Sequence, residues 1–258
     1  VSPAARPWCE YGRMRISGPV RMAVAAAACG LMLTPLTACG SSPQGQQDDT
    51  KSGGATNRKA PTADLKRIPD VGDRLYAQIP KNSRQVVAVY GVGKNSADST
   101  VVLYTKHGAT WDTTGSWKAH NGRKGWTTDH HEDDKRSPVG VFTLTDAGGA
   151  LADPGALLPY TQSASIQAPR YWSKPYWHDF DYVIAIDYNR VKGTAPNDPT
   201  RPLGQSKGGS IWLHMDHGSG TSACVSLPKS AMQLLLRTLD PKQHPVVVMG
   251  DKATLRAA

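Results

Sequence analysis

The chain has 258 residues, 30 Lys and Arg against 21 Asp and Glu, and a formal net charge of +9. That length supports one domain with a sizeable core beside shorter segments. The basic residues are scattered and form no block interleaved with aromatics, which argues against nucleic-acid readout and suits an anionic surface such as lipid headgroups or cell-wall polymer.

In chain order, Arg6, Arg13, Arg15 and Arg21 precede an apolar run over 22–39, "MAVAAAACGLMLTPLTAC". A basic region followed by a short apolar one is a secretory signal. Pro35 interrupts the run, which is marginal against the roughly 20 apolar residues of a permanent span. Its end, "LTAC", has the pattern of a bacterial lipobox, in which Cys39 receives a diacylglyceryl group and becomes the first residue after cleavage. Residues 1–38 are therefore expected to be a lipoprotein signal peptide, with the protein anchored by lipid at Cys39 to the extracytoplasmic face of the cell membrane. Residues 39–62 are Gly/Ser/Gln-rich without an apolar period and read as a flexible linker. Residues 63–258 form the folded domain.

Within that domain a helix is expected around 63–78, interrupted by Pro69 and Gly72 and closed by Pro80. Runs rich in Val, Ile and Tyr at 84–92, 99–105, 140–145, 181–188, 210–214 and 244–250 read as strands, punctuated by Gly, Asn, Asp or Pro. A second helix is expected over 228–239, where Met232, Leu235, Leu236 and Leu239 fall at helical spacing behind a Pro suited to the first turn. Many short strands with few helices predict a mainly β sandwich or barrel.

The chemistry concentrates in "SIWLHMDHGSGTSACVSLP" at 210–228. The remaining cysteines, Cys9, Cys29 and Cys39, all lie in the first 39 residues. Once these are removed or lipidated, Cys224 is expected to be the sole thiol of the domain, with no intramolecular partner, and a reactive candidate. A free thiol near pKa ~8.5 needs a base beside it. His214 ends a strand ten residues earlier, and Gly218 and Gly220 let the loop fold back toward it. His214 then takes the thiol proton and returns it to a leaving amine. Because the loop is expected to pair with no strand, the N–H groups around Ala223 and Cys224 can point at one oxyanion, with Thr221 and Ser222 bonding the loop in place. His217 reads as an exposed loop histidine, with second base as the alternative. "HHEDD" at 130–134 reads as a solvated charged turn. A zinc site from His214, His217 and Cys224 has suitable ligand types but no evident fourth ligand, so no metal is expected.

These residues resemble the L,D-transpeptidase (YkuD-type) catalytic domain. "SIWLH…GTSACVSLP" is similar to its signature of a strand-end His followed by Ser/Thr-x-Gly-Cys, with His214 as matching base, Thr221 as the Ser/Thr and Cys224 as nucleophile. "KRSPVGVFTLTDAGG" resembles its TPxGxF strand, and "LLPYTQ" and "DYVIAIDYN" follow in the expected order, so the likeness covers roughly residues 64–251. It implies a YkuD-like β-sandwich with a few short helices, no cofactor, and cross-linking of peptidoglycan stem peptides through a Cys thioester, or L,D-carboxypeptidase activity when water replaces the amine. Three features depart from the pattern. Ala223 replaces a Gly, and its methyl would crowd the reacting carbonyl. Val225-Ser226 stands where many members carry an Arg. The His-to-Cys spacing is shorter than in many. A non-catalytic wall-binding lipoprotein is the reading of a different class that these departures leave open.

Overall fold

The structure is a computed structural model and describes residues 64–258. The expected signal peptide, the expected lipidation site Cys39 and the expected linker lie outside the described residues. Twelve strands follow in chain order: β1 Gln85–Gly91, β2 Asp98–His107, β3 Thr110–His120, β4 Trp126–Thr127, β5 Ser137–Pro138, β6 Gly140–Thr143, β7 Ala147–Gly149, β8 Tyr160–Gln162, β9 Val183–Ala185, β10 Trp212–Met215, β11 Val225–Leu227 and β12 Val246–Asp251. The α-helices are α1 Asp73–Tyr76, α2 Lys229–Thr238 and α3 Lys252–Ala257. Ten strands form one sheet in the order β6-β12-β1-β2-β3-β11-β10-β9-β7-β8, and β4 and β5 pair separately. The fold is mainly β.

The apolar run of β1 explains its central place. All seven residues are buried, paired parallel to β12 and antiparallel to β2. A strand covered on both faces has no polar alternation. Val87 and Val89 enter the main core, together with Leu235 and Leu236 of α2. Val86, Ala88 and Tyr90 face a second core with Leu75 of α1 and Leu255 of α3.

The helix expected at 228–239 forms as α2, and Ala231, Met232, Leu235 and Leu236 are its buried stripe. The one expected around 63–78 shrinks to the four residues of α1. The chain before it docks on the C-terminal segment: Gly72 donates to the Leu255 carbonyl at 2.8 Å, and a Cβ at Gly72 would overlap Ala258 O. That close approach, not helical propensity, sets the backbone there. The long β3 was not expected. Its residues are largely polar and partly exposed, and it is held by register with β2 from Asp98/His120 to His107/Thr110, with Gly108 in the left-handed region at the turn.

Candidate active site

Strand alternation sorts the Cys loop onto two faces. Ile184, Leu213, Ala223 and Val225 enter the main core. Val183, Ala185, Trp212 and Cys224 turn to the opposite face and pack with Ile166, Ala168 and Phe180. The Ala223 methyl therefore lies in the core and does not crowd the reacting face, contrary to the expectation from its sequence position.

β10 and β11 run parallel, with Leu213 opposite Val225 and His214 opposite Ser226. Cys224 sits one residue before that register, and its Sγ accepts from Trp212 N at 3.4 Å. His214 is thus a diagonal neighbour of Cys224 on the same face, about 8 Å away between Cα atoms from strand spacing and rise. The Phe180 ring packs edge-on against both Trp212 and His214.

His214 is fully buried, and its Nδ1 lies 2.7 Å from the Met215 carbonyl. A carbonyl only accepts, so Nδ1 carries the proton and Nε2 keeps its lone pair in the neutral ring. Burial lowers the His214 pKa below the ordinary histidine value, outweighing the upward pull of Asp179 and of the Met215 carbonyl. The ring is therefore neutral at pH 7 and equipped as a base.

The loop before Cys224 is not unpaired, as the sequence suggested. Thr221 bridges Gly122; its N donates to the Asn121 carbonyl at 2.9 Å, and its own carbonyl accepts from Arg123 N at 2.8 Å. Thr221 Oγ1 donates to the Cys224 carbonyl at 2.6 Å. Ser137 Oγ donates to the Ala223 carbonyl at 2.6 Å and accepts from Gly122 N at 2.9 Å. In a trans peptide the N–H points opposite its C=O. Pinning the Ala223 carbonyl to Ser137 thereby aims the Cys224 N–H the other way, as an oxyanion donor requires. Ser222 is buried beside it.

Ser137 is itself fully buried. Ser137→Ala leaves the Ala223 carbonyl and the Gly122 N–H without this partner, at a cost of about 1–3 kcal/mol. We expect a lower urea midpoint and slower modification of Cys224; unchanged stability would contradict the pinning role.

His217 is not an exposed loop histidine. Its side chain and that of Asp179 are each 1% exposed, with Nδ1 and Oδ2 2.9 Å apart. The ring lies 4.5 Å from that of Tyr176 and stacks on His214 at 6.4 Å. Asp179 orients His217, which leaves His214 as the histidine on the Cys224 strand pair. Among the described residues no three His, Cys, Asp or Glu side chains converge as a metal-binding group. The turn at 130–134 is only partly solvated: His131 is exposed, but His130 is buried against Asp134 and the Tyr188 ring, and burial lowers its pKa.

Ser226 donates to Asp216 Oδ1 at 2.6 Å, and His120 Nδ1 reaches the same oxygen at 2.8 Å. Burial raises the Asp216 pKa, but these bonds outweigh it and hold the carboxyl below its ordinary range. Ser226 is fully buried. Cys224 is disulfide-bonded in the structure of the full chain, whereas the expectation of a sole thiol concerned the chain with residues 1–38 removed and Cys39 lipidated; the other three cysteines lie outside the described residues. Sequence reasoning missed Ser137 and Asp179 as site-building residues. The Ser137-Pro138 strand start was visible, but its bond to residue 223 spans 86 positions.

No family model and no curated protein matches the chain. Among solved structures the chain is similar to that of Bdellovibrio bacteriovorus Bd1075, at 13% identity and a TM-score of 0.36, over 76% of this chain and 57% of that one. The match thus spans little more than half the length of that chain.

Proposed function

We propose that the domain is a cysteine-dependent L,D-transpeptidase of the YkuD type, acting on peptidoglycan stem peptides at the extracytoplasmic face of the cell membrane, with the lipid anchor at Cys39. The observation that carries the reading is His214: buried, neutral and fixed in the Nδ1–H tautomer, on the same sheet face as Cys224. The reactive form is the thiol, so the chemistry belongs to the chain with Cys224 reduced.

In that form His214 Nε2 takes the Cys224 proton, and the thiolate attacks the amide carbonyl after the third stem residue. The oxyanion faces the Cys224 N–H, which Ser137 orients through the Ala223 carbonyl. Collapse breaks the C–N bond, and His214 returns the proton to the departing amine, leaving a thioester. An acceptor amine then attacks, gives its proton to His214 and releases the cysteine. Water in its place yields the L,D-carboxypeptidase product. Holding the amine in orientation is what lets a transferase outcompete water. With Ser226 bonded to Asp216 where an Arg would orient a carboxylate, we expect a raised hydrolysis share.

The test is product analysis with purified disaccharide-tetrapeptide and reduced protein. Cross-linked dimer that rises with acceptor concentration supports the transpeptidase. Tripeptide alone makes it a carboxypeptidase. Neither product, with Cys224 unreactive in the folded reduced chain, supports the non-catalytic wall-binding reading, which the complete burial of Cys224 favours.

A further inference from the structure

We infer that Arg201 is a carboxylate-recognition residue that binds the free carboxylate of the donor peptide's departing residue, an inference that rests on the acyl-transfer reading above. Arg201 lies in the loop before β10. Its Nη1 donates to the Asp198 and Thr200 carbonyls at 2.8 and 2.9 Å, and its Nη2 donates to Ser210 Oγ at 2.6 Å. All three acceptors are neutral. Among the described residues no carboxylate comes within ion-pair distance of it, whereas the buried Arg190 is matched by Asp146 and Asp187.

A partly buried guanidinium with no anion in contact is costly, because it stays charged at any physiological pH. Asp198 and Glu132 pull on it only from beyond ion-pair distance; three bonds leave donors of its five hydrogens for a ligand, and guanidinium–carboxylate pairing is the strong, oriented use of them. The side chain is held flat against the backbone: a Cβ at Gly209 would overlap its Nε, Cδ and Cζ.

Ser210 links this cation to the nucleophile. Its hydroxyl accepts from Arg201, and its carbonyl lies 3.5 Å from Cys224 Sγ. Its φ is 51°, in the left-handed region that a non-glycine residue seldom occupies. Such a conformation persists where the surroundings impose it, and here Arg201 and the β10 start do so. One residue thus separates the charge from the reacting sulfur. The leaving residue's α-carboxylate is the acidic group of a peptide donor nearest the scissile bond. Arg201 approaches it from the β10 side, whereas the family's Arg would follow the cysteine in β11.

The experiment uses the reduced full chain, with a tetrapeptide donor and its C-terminal amide. Wild type should prefer the free acid in kcat/KM by about tenfold or more, the scale of one charge-assisted bond. Arg201→Gln should lose the preference through KM, and Arg201→Lys should restore part of it, while Cys224 alkylation by iodoacetamide keeps its rate. A preference retained in Arg201→Gln overturns the assignment, as does an equal loss on both donors with altered alkylation. Binding of the same two peptides to Cys224→Ser, with and without Arg201→Gln, reads the recognition without turnover. Discrimination there in a chain that makes no product upholds Arg201 and sinks the acyl-transfer reading; product formation without discrimination does the reverse.

Discussion

Cys224→Ser is expected to lower the rate of acyl transfer by roughly 10³-fold or more, the scale seen when a nucleophile is removed, with little change in stability. The hydroxyl is a near-isostere: it can accept from Trp212 N, now bonded to Sγ at 3.4 Å, and donate to the Ser210 carbonyl. A serine hydroxyl is far less acidic than a thiol, however, and needs a stronger base than a histidine whose pKa burial has lowered. Reduced wild type and variant should unfold at similar temperatures while only wild type turns over the tetrapeptide. Full activity in the variant would assign the chemistry to another group, and a large fall in melting temperature would mark Cys224 as a structural residue of its cluster.

His214→Ala should cost about 10²–10⁴-fold, the usual contribution of a positioned general base. The pH dependence carries the sharper signature. Burial lowers the His214 pKa, so acylation in wild type should climb as the ring loses its proton, with a midpoint below the ordinary ~6.5. Without the imidazole, Cys224 should react as an isolated thiol, with a single rise toward pH ~8.5. Superimposable profiles in the two proteins would exclude the pair. The same shift links to stability. An unfolded His takes up its proton near pH ~6.5, while the folded ring resists until lower pH, so stability falls as pH drops below ~6.5 and is fully present above it. His130, lowered by the same cause, adds with the same sign, so the slope should shrink, not vanish, in His214→Ala.

The elements read correctly from sequence are those whose burial is written in their own residues. α2 shows its apolar stripe, and β1 and β12 are continuous Val-rich runs with every residue buried. β3 and β11 were not legible. β3 is polar along much of its length and is held by its neighbour's register, while β11 is only three residues long and hidden behind a Gly/Ser loop. The ten-residue spacing of His214 and Cys224 was visible in the chain, but the face they share depends on the parallel register of β10 with β11. The burial of His217 was not visible, since it depends on Asp179 and Tyr176 from a distant segment. The inward Ala223 methyl is a matter of strand parity, which can be assigned only once β11 is known to begin at Val225.

The claim that Cys224 is an acylated nucleophile is tested most directly by intact mass. The reduced chain is mixed with tetrapeptide donor, quenched in acid during turnover, weighed and mapped by peptide. The account predicts an added tripeptide acyl group, held as a thioester on Cys224 in wild type and missing from Cys224→Ser. An adduct mapped to any other residue, or tripeptide product formed equally by Cys224→Ser, would contradict it.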